Sequence, residues 1–424
     1  MIKNNQLWIL ILLLLVAKEG WSQGDQRVLV LSLKQAEQIA IQNNYMVNAS
    51  LHSLEQGYYG FKASQAFFKP QVNFTSQYGF NNSEHSLDTA LQMTQPLYNK
   101  VAFCQLKEAQ IQWEMAKIDL QQQLCDILFA VREGYYSVLL HQAHLALDKN
   151  IIEIWENEVK KQERFLELGV SIPFELNQSR LHLKNAWRDY YDSQGEVKTS
   201  QIELLTVLGL APNTPFILID KDIPPPPIDW GKCNLEKWKQ VATKYRPQLI
   251  KEQFSYLLSQ NQVRQVKAER LPTVSFYING GNQYVNNGFI GQPYAGTGLN
   301  LNWAIYDPTN KPRIKQAEEG RREAASNYNQ VELETDAIIY ALLNEIDKSY
   351  LAYRNAEEGS VLAEQGMQMA IRKNELGMMS PFEYRDTIDT LHESQQQVNQ
   401  AKFDLYQAYN RLIHQTGFDL KQEK

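Results

Sequence analysis

Cysteine is scarce in this chain of 424 residues: Cys104, Cys125 and Cys233 are the full set. An odd number so widely spread implies no disulfide framework. On one helix, Cys104 and Cys125 would stand about 30 Å apart at ~1.5 Å per residue, beyond the reach of any bridge. Positive charge is not in excess either. The formal net charge is -6, and with no basic stripe and no glycine-rich phosphate loop, nucleic acid is excluded as a partner. No nucleophile, base and orienting acid come together, which argues against an enzyme and leaves no catalytic residue to name. His141 and His144 form an i, i+3 pair without a third ligand at metal-binding spacing, so they read as a solvated or inter-helix pair. Met378 and Met379 read as contact residues rather than a soft-metal path. Neither metal nor cofactor is expected.

Long apolar runs are equally rare. One stands at the start: Lys3, then Leu7 to Val16, then the small and polar residues around Gly20, Ser22 and Gly24. This is the pattern of a secretory signal, assigned to residues 1–22 with cleavage near Ser22. Its apolar run is about half of the roughly 20 helical residues that cross a hydrocarbon core. No cysteine follows it closely, so a lipid anchor is not expected. Any return of the exported chain to a bilayer has to be made by β-strands.

Proline is missing over two long stretches, from Asn99 to Ile172 and again from Arg313 to Ser380. In the first, Leu124, Val131, Val138, Leu145, Ile152, Val159 and Leu166 recur at intervals of seven, the signature of a helix packed in coiled-coil fashion. A helix over Asn99 to Leu168 would run roughly 100 Å at ~1.5 Å per residue, too long for a compact domain. Leu168-Gly169 ends it with a glycine cap, and a returning helix runs from about Phe174 to the stop at Gly209.

The chain repeats itself once. Leu33, Ala40, Pro70, Val72 and Phe74 recur 202 positions later as Leu235, Ala242, Pro272, Val274 and Phe276. Further on the separation is 208: Tyr98 recurs as Tyr306, Leu168-Gly169 as Leu376-Gly377, Pro173-Phe174-Glu175 as Pro381-Phe382-Glu383, and Gly209 as Gly417. A net insertion of six accounts for both offsets, and it falls in a stretch rich in Gly and Asn, where loops tolerate length change. The first repeat is assigned to residues 23–210 and the second to 235–424. A linker at 211–234, with prolines from Pro212 to Pro227, follows an extended path.

Each repeat starts with two helices, about Ser32 to Asn43 and Tyr45 to Lys69 in the first. The period then changes at Pro70. Val72, Phe74, Tyr78 and Phe80 alternate with polar residues, as do Leu91, Met93 and Leu97, which predicts a β-hairpin. Val274, Phe276 and Ile278 with Leu299, Leu301 and Trp303 repeat it. Four strands are too few to close a barrel in lipid, where known barrels have at least about eight, so the chain must share its barrel with copies of itself. Three chains supply twelve strands. The competing reading, a structural or adhesive coiled-coil protein of the cell envelope, needs no pore.

This arrangement resembles the TolC family of outer-membrane efflux proteins over nearly the whole mature chain. The marks are Lys69-Pro70-Gln71-Val72 and Leu271-Pro272-Thr273-Val274 opening a strand, Gln95-Pro96-Leu97-Tyr98 and Trp303-Ala304-Ile305-Tyr306 closing one, and the two Leu-Gly tips. The resemblance implies a mostly α protein with a transmembrane β-barrel. Its homotrimer would form a 12-stranded barrel in the outer-membrane lipid, continued by a long α-helical barrel in the periplasm. It further implies an equatorial belt built from the linker and chain end, and a passive export duct in a tripartite efflux or type I secretion system. A periplasmic adaptor would dock at the tips Leu168, Gly169, Leu376 and Gly377, and an inner-membrane pump or exporter would supply the energy. The family's gate acids fall at Glu383 and Asp386, three apart and so on one helical face. Glu175 answers Glu383 in the first repeat, whereas Gln178 answers Asp386. The tyrosine and arginine that brace the gate in the best-known member fall at Asn374 and Met379, so that network does not carry over.

Overall fold

The computed structural model describes residues 28–81, 84–224, 235–285 and 291–419. The signal segment, Cys233 and most of the linker's proline run lie outside them. The elements, in chain order, are β1 (Leu29–Leu31), α1 (Leu33–Asn43), α2 (Tyr45–Ala66), β2 (Gln71–Asn81), β3 (Glu84–Tyr98), α3 (Lys100–Glu167), α4 (Pro173–Val207) and β4 (Phe216–Leu218). The second repeat continues with α5 (Leu235–Tyr245), α6 (Pro247–Ala268), β5 (Thr273–Val285), β6 (Gln292–Asn302), α7 (Asn310–Glu375) and α8 (Pro381–Thr416). Two compact units arise, each drawn from both repeats.

One unit takes residues 49–122 and 246–335 and contains a four-stranded antiparallel sheet in the order β2-β3-β5-β6. Its register places Val72, Phe74, Tyr78 and Phe80 on the same face as Leu87, Leu91 and Met93. Ile278 pairs with Met93, and Phe276 with Leu299, so the apolar face continues across all four strands. Phe74, Tyr78, Phe80 and Leu299 are each at least 65% exposed. The opposite face carries Gln71, Asn73, Gln92, Asn279 and Asn300, with Asp88 accepting a hydrogen bond from the Tyr294 hydroxyl at 3.3 Å. A sheet with an exposed apolar face and a polar reverse is inverted relative to a soluble protein, where the apolar side is covered. Alternation of this kind suits a wall between lipid and water. Pro96 sits where the β3–β5 register shifts, the kind of irregularity at which a strand tolerates proline.

Helices carry the sheet. Trp113 of α3 stacks on Phe61 of α2 with ring centroids 5.6 Å apart, and Lys117 lies 3.6 Å over the Trp113 ring. The Asn261 side chain of α6 donates to the Cys104 carbonyl at 2.7 Å, and Gln95 donates to the Phe68 carbonyl at 2.6 Å. Cys104 and Cys125 are both on α3, buried and outside any disulfide. Burial pushes the Cys104 thiol pKa up.

The other unit takes residues 28–48, 123–245 and 336–419, apart from those outside the described set. Here α3 and α4 pack with α7 and α8 around Ile151, Ile152, Trp155, Ala186, Met367, Ile388 and Leu391. Of the seven heptad residues, Val131, Val138, Ile152 and Val159 are buried. The repeat is visible in the packing as well, because Ala40 and its counterpart Ala242 are both 0% exposed. A short parallel pair, β1 with β4, joins the start of the chain to the linker. Arg132 fastens both chain ends. It donates to Glu37 at 2.7 Å and, in bidentate fashion, to Asp419 at 2.9 and 3.0 Å. Tyr135 donates to Asp220 of the linker at 2.7 Å. Among the described residues no helix is long and apolar enough to cross a membrane.

Candidate gate and docking tips

Each long helical hairpin reverses through the same backbone motif. At the first tip, Gly169 N–H donates to the Leu166 carbonyl at 3.0 Å and Val170 N–H to Phe165 at 2.9 Å. At the second, Gly377 donates to Asn374 at 3.2 Å and Met378 to Lys373 at 2.8 Å. This is the Schellman closure, which satisfies the last carbonyls and needs a left-handed residue. Gly169 and Gly377 supply it, with φ of 71° and 68°. Around them the tips are open and apolar: Leu168, Val170, Leu376, Met378 and Phe382 are all more than 70% exposed.

Just past the tips the repeats differ at the N-cap position, and the two equivalent glutamates meet different partners. In α8 the N-cap is Ser380, whose hydroxyl accepts from Glu383 N–H at 3.2 Å, while the Glu383 carboxylate accepts from Ser380 N–H at 3.0 Å. This capping box holds Glu383 against its own helix start, and the Ser380 N–H and hydroxyl hold its carboxyl below the usual range. The matching N-cap of α4 is Ile172, which has no side-chain oxygen to offer. Glu175 therefore pairs across to Arg385 of α8 at 3.0 Å, with the arginine side chain 10% exposed. The charge of Glu175 is thereby matched, and Glu383 acts as a cap as well as a candidate gate acid.

Asp386 is exposed and makes no hydrogen bond or ion pair among the described residues. It lines a groove with Asn355, Gly359 and Ala363 of α7 and Thr390 of α8. One turn on stands Asp389, an acid the sequence reading passed over. Its carboxyl pKa is raised, first by burial and further by Glu393 and Asp386, against the pull of His182. That crowding marks the acidic face of α8. Met379 packs against the four-helix core.

His141 and His144 lie on α3 with ring centroids 6.4 Å apart. Among the described residues no group of three or more His, Cys, Asp or Glu is placed to hold a metal ion.

The profile of the outer membrane efflux protein family matches residues 37–210 and 238–417. No curated protein sequence matches the chain. Three solved outer-membrane proteins share its fold. The Campylobacter jejuni CmeC outer membrane channel has a TM-score of 0.75 at 14% identity, covering 92% of this chain and 89% of that one. The outer membrane protein VceC of Vibrio cholerae scores 0.76 at 13% identity, covering 91% and 96%. The open state of the Neisseria gonorrhoeae MtrE outer membrane channel scores 0.73 at 12% identity, covering 91% and 88%. With both repeats matched by the family profile, the chain belongs to the outer membrane efflux protein family and is an efflux channel of the outer membrane that extends into the periplasm.

Proposed function

We propose that three copies of the chain close one twelve-stranded barrel and serve as the passive duct of a tripartite efflux or type I secretion system. One observation carries this reading: the sheet is apolar on its exposed face, while β2 and β6 have no partner on their outer edges among the described residues. In lipid an open edge leaves backbone groups unsatisfied at several kcal/mol each. With four strands in an antiparallel order, β6 of one copy meets β2 of the next running the opposite way, so the pattern continues through the junction. Both edge strands are 11 residues long, matching the roughly 9–11 residues that span a bilayer. The chain extracted from the membrane in detergent should be a trimer; a folded monomer with protected barrel amides would refute this.

The exposed apolar tips at Leu168-Gly169 and Leu376-Gly377 are assigned to a periplasmic adaptor protein, with an inner-membrane pump or exporter supplying energy. Glu383 and Asp386 are assigned to the gate. Two per copy place about six carboxylates around a threefold axis, a ring that favours cations. Glu175 contributes less because Arg385 offsets its charge. Signal removal near Ser22 and the boundaries at 211–234 belong to the same proposal. The barrel's polar face carries mainly neutral amides and hydroxyls, which suits a duct that leaves selection to its partners.

A further inference from the structure

Where α3, α4 and α8 meet, a cluster of polar side chains packs into the helical core, with Asp148 and Ser193 buried and His144, His392 and Gln396 half-buried around them. Asp148 of α3 is 2% exposed and accepts from His392 Nε2 of α8 at 2.8 Å and from the Ser193 hydroxyl of α4. Gln396 of α8 lies 3.4 Å from the same carboxylate. One turn before Asp148 is His144. Its Nε2 is buried with no hydrogen-bond partner. A neutral imidazole carries one N–H, so with its proton on Nδ1 the buried Nε2 presents only a lone pair to surroundings that offer it no donor.

We propose that His144 is an acid-sensitive wedge: protonation of its sealed Nε2 loosens α8 from α3 and α4. A proton on Nε2 would create a buried N–H cation with no acceptor in place, which is costly unless helices part and admit water. The groups facing the ring are His141 and Asp148 on α3, Glu196 on α4, and Gln396 on α8, with His392 reaching it through Asp148. His141 Nδ1 stands 3.2 Å from Glu196 without hydrogen-bond geometry. Burial, followed by His141, lowers the His144 pKa, against the opposing effects of Asp148, the Gln396 backbone and Glu196. The sign follows by linkage. A histidine with a lowered folded value favours the packed state fully above the ordinary imidazole value of about 6.5, and that contribution is lost as pH falls through the lowered value. Burial works against the Asp148 charge, but its bonds to His392 and Ser193 hold the carboxyl below its usual range, so it remains ionised throughout this window.

The consequence for transport rests on the channel reading: α8 carries Glu383 and Asp386, so acid in the periplasm would release the helix that bears the candidate gate. The test is hydrogen exchange of the full chain, corrected for intrinsic rates, at pH 7.5 and 5.0. Residues 141–148 and 388–396 should exchange roughly 5- to 10-fold faster at the lower pH, the low end for coupled equilibria, while α6 stays unchanged. His144→Asn, or His144→Gln should the first fail to fold, removes the titration and should abolish the response. His392→Gln should keep it. A wild-type chain with no response, or a His144 variant that retains it, overturns the proposal. Conductance at pH 7.5 tests the channel reading separately: a silent bilayer with the exchange response intact would refute the duct and leave the wedge standing.

Discussion

Gly280 and Gly281 are neighbours in β5, yet the sheet predicts opposite outcomes for an added methyl group. On Gly280, which faces the apolar side opposite Leu91 and Ala295, the nearest atom to a new Cβ is the Tyr294 carbonyl at 3.6 Å, an ordinary contact. On Gly281 the new Cβ would overlap the Thr89 carbonyl oxygen and come within 3.0 Å of Ala90 Cα. Those atoms are backbone of β3, so no side-chain rotation relieves the clash, and β3 and β5 must part locally. Loss of about two ladder hydrogen bonds at roughly 1 kcal/mol each, with part of the penalty for leaving the groups unpaired, gives about 2–4 kcal/mol per chain. Gly280→Ala should be neutral or stabilising by up to ~1 kcal/mol, since glycine is entropically poor in a strand. Heat-modifiable electrophoretic mobility of the assembled barrel, followed across a urea series, measures both. If Gly281→Ala matched wild type while Gly280→Ala fell apart, the β3–β5 register would be wrong by one residue and the faces of the sheet exchanged.

Other expectations follow from the tips. Ser380→Ala removes the cap of α8 and should lower its stability by about 1 kcal/mol, read as faster amide exchange in the first turn; Ile172→Ser should do the reverse in α4. In planar bilayers the channel should be cation-selective and blocked by a trivalent cation from the periplasmic side. Glu383→Gln with Asp386→Asn should lose most of that block, whereas Arg385→Gln, which leaves Glu175 unmatched, should strengthen it; equal block in the wild type and both variants would place the constriction elsewhere. Gly169→Val or Gly377→Val forces a β-branched residue into the left-handed region at about 1–2 kcal/mol. Either should weaken adaptor cross-linking with the barrel intact, and unchanged cross-linking would remove the tips from the docking surface.

The duplication made much of the fold legible. Offsets of 202 and 208 located both hairpins and all four glycine stops, and Gly169, Gly209, Gly377 and Gly417 each have a positive φ. The heptad read from Leu124 to Leu166 follows the buried side of α3 through its middle, where Val131 and Val138 are fully covered. Period-two alternation showed the two faces of the sheet because lipid and water impose opposite demands on them. The β1–β4 pair escaped notice because three residues are too short to show a period, and their partners are far apart in sequence. Ser380-Pro381-Phe382-Glu383 does carry a capping-box signature, yet Glu383 was read only for its charge. The Glu175–Arg385 pair and the cluster round His144 were not legible at all. Each depends on which side of one helix meets another, and no spacing within a single helix records that.

The most direct test of shared barrel closure is disulfide trapping between the two free edges. Single cysteines placed along β2, such as Asn73→Cys, are combined with single cysteines along β6, such as Asn300→Cys, and oxidised in intact membranes, with the native cysteines alone as control. If β6 of each chain pairs with β2 of the next, at least one antiparallel register yields covalent dimers and trimers, and the ladder stops at three. A panel that yields no intermolecular product, or one that continues past the trimer, would contradict a barrel closed by three chains.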